Sequence, residues 1–249
     1  MVPVREYRWI EPNNGTSNET GGLAKRLADE LTISPILAEI LVRRGILTKD
    51  QARLYFRPTI DDLPDPFLME DMQKASDRII RAIGSGEQIM IYGDYDVDGT
   101  NGASLLSTFL GKVGAKVTSY IPDRLKEGYG LSITGIDRAK NIGVSLLISI
   151  DCGITAHKQV EYARSLSIDV VICDHHEPGD VLPAAFAILN PMKPTCPYPF
   201  KHLCGCGVGF KLIQALSTFE RVQSAFGGNI ENQLASYLDL VALATTADI

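Results

Sequence analysis

From Gln88 to the end of the chain, short apolar runs of strand length alternate with segments whose apolar positions recur every three or four residues. The runs at 88–92, 115–121, 144–150, 168–173 and 184–189 predict strands. The segments 100–113, 132–141, 156–166, 207–226 and 231–246 predict helices. Regular alternation of this kind means βαβ units, so the fold class is α/β with a mainly parallel sheet and helices on both faces. Ahead of it the pattern is helical only. GLAKRLADEL, SPILAEILVRRG and TKDQARLYF read as short helices within 22–57, with Ser34 and Thr48 as N-caps, Pro35 at a first helical position and Gly45 as a C-cap. Pro58–Pro66 reads as a loop, and Glu70–Ile83 as an amphipathic helix that delivers the chain to the first strand. Residues 1–20 read as polar and frayed, with a turn at Asn13-Asn14-Gly15. This divides the chain into a helical region, 1–84, and an α/β domain, 85–249. The basic corner Arg43-Arg44 fits either a packed helical subdomain or a nucleic-acid contact.

Composition narrows the class only a little. A chain of 249 residues has ample core for one large or two small domains. No run approaches a membrane span, and the first residues lack the apolar core of a signal peptide. Five cysteines without a secretory signal point to reduced thiols in a cytoplasm. Cys196, His202, Cys204 and Cys206 have the wrong spacing for a zinc site. The net charge is −6. From Ile89 onward there are 12 Lys and Arg against 16 Asp and Glu, and six of those acids sit in the motifs below. Cations bound there would offset them, so the acidity does not exclude an anionic substrate.

The densest chemistry is QIMIYGDYDVDGTNGAS, 88–104. A buried strand leads into Asp94, Asp96 and Asp98 at alternate positions, on the expected turn before a helix starting at Thr100. Three carboxylates this close repel unless cations neutralise them, and hard divalent ions favour oxygen ligands. An EF-hand is excluded because its twelfth position is Leu105 and its flank is a strand. The string Asp96-Val97-Asp98-Gly99-Thr100 resembles the nucleophile motif of haloacid-dehalogenase phosphatases, a short match. Two further strands end in polar groups: VSLLISI in Asp151-Cys152-Gly153, and IDVVIC in Asp174-His175-His176. Parallel strands bring these ends to one edge, where ligands bind in open α/β sheets. Asp151 also fits as a helix N-cap before Thr155–Arg164. The His pair beside a carboxylate suggests a metal ligand with an acid/base partner.

Taken in order, GDYDVDG (93–99), IPDRLKEGYGL (121–131), SIDCGI (149–154), CDHHEPG (173–179) with ILNP (188–191), LCGCGVGFKL (203–212) and LDLVALATTADI (238–249) resemble the DHH phosphoesterase family, on its single-stranded-DNA exonuclease branch. The resemblance implies a five-stranded parallel sheet carrying two Mn2+ or Mg2+ ions. It implies Asp96, Asp98, Asp151 as the bridge, His175 and Asp248 as ligands, with Asp174 orienting its neighbours. Asp94 is left open as a ligand, and Asp239 is the alternative to Asp248. Beside such ions His176 would donate to the phosphate or protonate the leaving oxygen. Arg124 and Lys126, before Gly128, would grip the substrate backbone, and Tyr129 would stack on a base or pack within its loop. The amides of Gly205 and Gly207 open a helix and would suit a substrate anion. The implied activity is 5′-to-3′ hydrolysis of single-stranded DNA in repair and recombination. A nanoRNase, a nucleotide phosphatase and a catalytically silent replication scaffold are the alternatives. A single-strand-binding protein and a helicase are the implied protein partners, and the family pattern implies a further core domain after Ile249.

Overall fold

The computed structural model describes residues 18–248, so the expected turn at Asn13-Asn14-Gly15 lies outside the described residues. The chain forms two compact units that divide between Leu63 and Pro64. The boundary expected at residue 84 therefore moves, because the helix before the first strand packs on the α/β unit rather than on the helices upstream.

The first unit contains α1 (Asn18–Leu31), α2 (Pro35–Arg43) and α3 (Lys49–Phe56). Leu27, Ala28, Ala38, Leu41, Val42 and Ala52 form its core. The caps are those the sequence predicts. Ser34 accepts from the Leu37 amide, and Thr48 and Gln51 form a reciprocal capping box. Gly45, just past the C-cap Arg44, takes the left-handed conformation at φ +79° that ends α2.

The second unit runs α4 (Met72–Ser85), β1 (Gln88–Gly93), α5 (Val97–Lys112), β2 (Lys116–Tyr120), α6 (Arg124–Glu127), α7 (Ile133–Asn141), β3 (Val144–Ile150), α8 (His157–Ser165), β4 (Asp169–Cys173), β5 (Ala187–Leu189), α9 (Gly205–Leu216), α10 (Glu220–Ala225), α11 (Ile230–Ala235) and α12 (Leu238–Ala247). The five strands are all parallel, in the order β2-β1-β3-β4-β5. Side chains alternate across the sheet. Met90, Tyr92, Leu147, Val170 and Ile172 pack with Ile136, Ala139, Val160 and Ala163 of α7 and α8. The helices α4, α5, α9 and α12 pack on one another in a separate layer. The strand order switches direction between β1 and β3, and the crevice beyond their carboxyl ends is the expected ligand site. Among the described residues no helix is long and apolar enough to cross a membrane.

Three expected helices are adjusted by local hydrogen bonding. The helix after β1 starts at Val97 rather than Thr100, because Asp96 caps it by accepting from the Gly99 amide at 2.9 Å. The expected helix 207–226 breaks after Leu216, where Ser217 and Thr218 hydroxyls donate to the carbonyls of Ile213 and Ala215. The expected helix 231–246 breaks at Ser236, whose hydroxyl donates to the Gln233 carbonyl. The last strand is three residues rather than six. The single turn α6 was not anticipated.

Candidate metal centre

The site begins where the strands stop. The Asp94 amide donates to Ile150 O, the Asp151 amide to Cys173 O, and the Asp174 amide to Leu189 O, at 2.9–3.2 Å. Each carboxylate therefore sits one residue beyond a strand and is still held by the parallel ladder. Asp151 continues in the left-handed region at φ +62°, an uncommon conformation for a residue with a side chain. This conformation turns the chain away from β3, and Asp151 is not the helix N-cap that the sequence also allowed. That position falls at Ala156, which makes no side-chain cap.

Three overlapping three-residue ligand groups lie at this edge, one of them Asp151, His175 and His176. Asp94, Asp96 and Asp151 can place one oxygen each within 4.8 Å of one another, and so can ligand atoms of Asp98, His175 and Asp248. Asp151 is hydrogen-bonded to His175, Oδ1 to Nε2 at 3.1 Å, which joins the two groups. His175 Nε2 also lies 3.7 Å from Asp98 Oδ2, and its Nδ1 lies 3.6 Å from Asp248 Oδ2. The sequence left Asp94 open, yet it belongs to the first group. It is fully buried, and neither of its carboxylate oxygens has a hydrogen-bond partner of good geometry among the described residues. A buried carboxylate without partners is costly unless a cation completes it. Asp239 is in the first turn of α12 and binds only its neighbour's amide, so Asp248 is the acid of that helix which reaches the cluster.

The charges fit a site built for cations. Burial raises the Asp151 carboxyl to about 7, against the hydrogen bond from His175 and with the charges of Asp98 and Asp96 adding to the rise. Burial likewise raises Asp94, and the Asp96 charge contributes. For His175, burial opposes the charged ring, but the hydrogen bond to Asp151 together with the charges of Asp151 and Asp248 outweighs it, and its pKa lies above the ordinary value. An oxygen-rich set joined by a single imidazole suits hard divalent ions.

The remaining groups orient this set. Asp174 is buried and accepts from the amides of Ile154, His175 and His176 and from His176 Nδ1 at 2.7 Å. Burial alone would raise its pKa, but these donors, His176 first, hold it below the ordinary carboxylate range. The same pair raises His176 to about 9, so the ring is a cation at neutral pH. Nδ1–H then donates to Asp174, and Nε2–H to the Tyr129 hydroxyl at 3.1 Å. Tyr129 is 60% exposed and packs edge-on against His176. It follows Gly128, whose φ of +82° closes the α6 turn. Arg124 stacks over the Tyr95 ring at 4.5 Å, and the exposed Lys126 is paired with Asp123 at 2.9 Å.

Gly205 and Gly207 have a different role from the one expected. The anion held at the N-terminus of α9 is the chain's own Asp98, which accepts from the amides of Gly205 and Cys206, and the Gly207 amide donates to Cys204 Sγ. These amides are spent on positioning a carboxylate rather than on a substrate. A Cβ at Gly205 would lie 2.7 Å from Asp151 Cβ and 2.8 Å from its Cα, so only glycine lets α9 approach this closely. Met192, Lys201, His202 and Thr245, which the sequence did not single out as site residues, line a pocket with His175 and Asp248. The spacing of these residues along the chain carries no signal that would have found them.

The geometry agrees with known proteins. The chain is 45% identical over 225 residues to the single-stranded-DNA-specific exonuclease RecJ of Bacillus subtilis (strain 168), covering 90% of this chain and 27% of that protein. It is 39% identical to the RecJ of Escherichia coli (strain K12), covering 91% of this chain and 40% of that one. The crystal structure of RecJ in complex with Mn2+ from Thermus thermophilus superposes with a TM-score of 0.70 at 25% identity, over 92% of this chain and 30% of that chain. The chain thus spans between about a quarter and two-fifths of the relatives' length. The family model described as DHH family, N-terminal domain, matches residues 88–245, from the first strand to the helix that leads to Asp248. With its strand-end carboxylates, its Asp174-His175-His176 run and its sheet order all in place, this chain belongs to the DHH family.

Proposed function

We propose that this chain is the catalytic part of a two-metal phosphodiesterase that removes nucleotides from single-stranded DNA in the 5′-to-3′ direction. The observation that carries the reading is the meeting of two acidic groups at Asp151, with the fully buried carboxylate of Asp94 in one and His175 in the other. Asp94, Asp96 and Asp151 would hold one divalent ion, Mn2+ or Mg2+, and Asp98, His175, Asp248 and Asp151 the second. When bound, such paired ions supply Lewis-acid charge that polarises the phosphodiester and lowers the pKa of water.

The chain's own groups do the rest. Asp174 fixes the His176 ring by its Nδ1–H. The cationic ring then offers Nε2–H to a phosphate oxygen or passes that proton to the leaving oxygen. A bound phosphate would take this donor from Tyr129, whose freed ring face lies open for a base. Arg124 and Lys126 stand on the same exposed arm to meet the backbone phosphates. The α/β unit from Pro64 onward carries this chemistry. A single-strand-binding protein and a helicase, which deliver single strands, are the protein partners this reading favours. Five free, buried cysteines suit a cytoplasmic setting.

The test is digestion of end-labelled single- and double-stranded DNA with and without Mn2+, run on this chain and on one extended at its C-terminus. Metal-dependent release of nucleotides from the 5′ end of single strands supports the reading. Release that is indifferent to strandedness or to metal in both chains overturns it.

A further inference from the structure

An apolar groove lies in the first unit, apart from the strand-end chemistry. It has a volume of about 770 Å³ and runs between α2 and α3. Its walls are two helical stripes: Leu37, Ile40 and Leu41 on α2, and Ala52, Tyr55 and Phe56 on α3. Leu37 is 54% exposed, Ile40 46% and Phe56 62%, a contiguous apolar surface of the kind that marks an interaction site. Arg44, Lys49, Arg53 and Arg57 also line it. Arg53 is paired with Asp62 at 2.9 Å. Among the described residues no carboxylate lies within 4 Å of Arg44, Lys49 or Arg57. The acids of these two helices, Glu39 and Asp50, do not line the groove.

We propose that this groove docks an amphipathic helix of a partner protein whose apolar face is flanked by acidic residues. Apolar stripes formed by i, i+3 and i+4 positions on both sides of a groove are the form that receives a helix. The three free cations on the rim set the sign of the partner's flanks. A second copy of the chain is disfavoured by that rim, because self-docking would bring Arg44, Lys49 and Arg57 against their own equivalents. Single-stranded nucleic acid is disfavoured by the floor, which is mostly aliphatic. The two aromatic rings pack edge to face on each other, at 5.1 Å and 88°, rather than presenting parallel platforms for bases. The inference is independent of the proposed nuclease activity.

The probe is a fluorescein-labelled peptide of about 16 residues, long enough for a helix-in-groove contact, with Leu at i, i+3, i+4 and i+7 and Glu on both flanks. Anisotropy with the full chain should show binding at least ~10-fold tighter than for the same peptide with Lys flanks, weakening as salt is raised. Leu37→Asp and the double change Arg44→Glu with Arg57→Glu each alter exposed side chains and should leave the helical circular dichroism unchanged. The first should abolish binding of the Glu peptide, and the second should invert the preference toward the Lys peptide. Equal binding of the two peptides, or Glu-peptide binding that survives Leu37→Asp, overturns the proposal. So does an oligothymidylate that binds the chain and is lost with Arg44→Glu and Arg57→Glu while neither peptide binds. A dimer that dissociates with Phe56→Asp and excludes the peptide would assign the groove to a second copy instead.

Discussion

The strand-end edge and the Arg124–Gly130 arm face the same chemistry but are built by opposite means. At the edge, Asp94, Asp151 and Asp174 are each locked by a ladder hydrogen bond from their own amide and are almost fully buried. On the arm, a single helical turn carries Leu125, Lys126 and Tyr129 into solvent, at 95% exposure for Leu125. A buried, ladder-fixed group has few ways to relax when changed, whereas an exposed one has many. The contrast means that cation binding should be rigid and intolerant of substitution, and that strand contacts should be adaptable and individually weak.

The largest expected effect is at the edge. Asp151→Asn keeps a residue that tolerates positive φ but removes the charge shared by both groups, so Mn2+ affinity measured by calorimetry should fall at least ~100-fold and by more than for Asp94→Asn. Equal losses would remove Asp151 from the shared position. Next comes the histidine pair. His176→Ala should keep the metal while slowing hydrolysis by about 10²-fold, whereas His175→Ala should lose metal. If both variants lose metal alike, the division between the two rings fails.

Acidity gives a smaller effect. In metal-free chain, Asp151 is raised to about 7 and His176 to about 9. Both folded values lie above the unfolded ones, so both contributions are fully present below the unfolded pKa. Each is lost as pH rises through the folded value. Thermal stability of the metal-free chain should therefore fall as pH rises toward about 7 and fall again toward about 9. Asp151→Asn should flatten the lower part of that fall and His176→Gln the upper part. A stability that rises across this range would contradict the assignment. The smallest effect belongs to the arm: Lys126→Ala should weaken single-strand binding only slightly, since exposed phosphate contacts are screened and its present ion pair is worth little. A loss as large as that of Asp151→Asn would end the contrast.

Most of the sheet was legible because β1, β3 and β4 are buried along nearly their whole length and read as almost unbroken apolar runs, as in LLISI and VVIC. Their parallel order then brings Asp94, Asp151 and Asp174 together without any distance being known. Harder to read were features that depend on who meets whom across the chain. Asp98 is matched to the amides of Gly205 and Cys206 across more than a hundred residues, so a helix start that looked free for a substrate is already occupied. Asp94 could be placed with its neighbours only once its buried carboxylate proved to lie within reach of Asp96 and Asp151. The helix breaks at Ser217 and Ser236 turn on hydroxyls that donate to the preceding turn, a competition that apolar periodicity does not register. The groove between α2 and α3 escaped for a similar reason. Its stripes look like core positions until the packing shows that only Leu41 and Ala52 of the six are covered.

The long reach of Asp98 also sets a timetable. As a chain grows from its N-terminus, the Asp94–Asp98 cluster emerges long before the glycine turn that anchors Asp98, and Asp248 emerges last of all. Until residue 206 has left the ribosome, the Asp98 carboxylate lacks the two amides that hold it. A product truncated anywhere before α9 would lack the amides that hold Asp98 and would lack Asp248 as well, so the group of Asp98, His175 and Asp248 could not form.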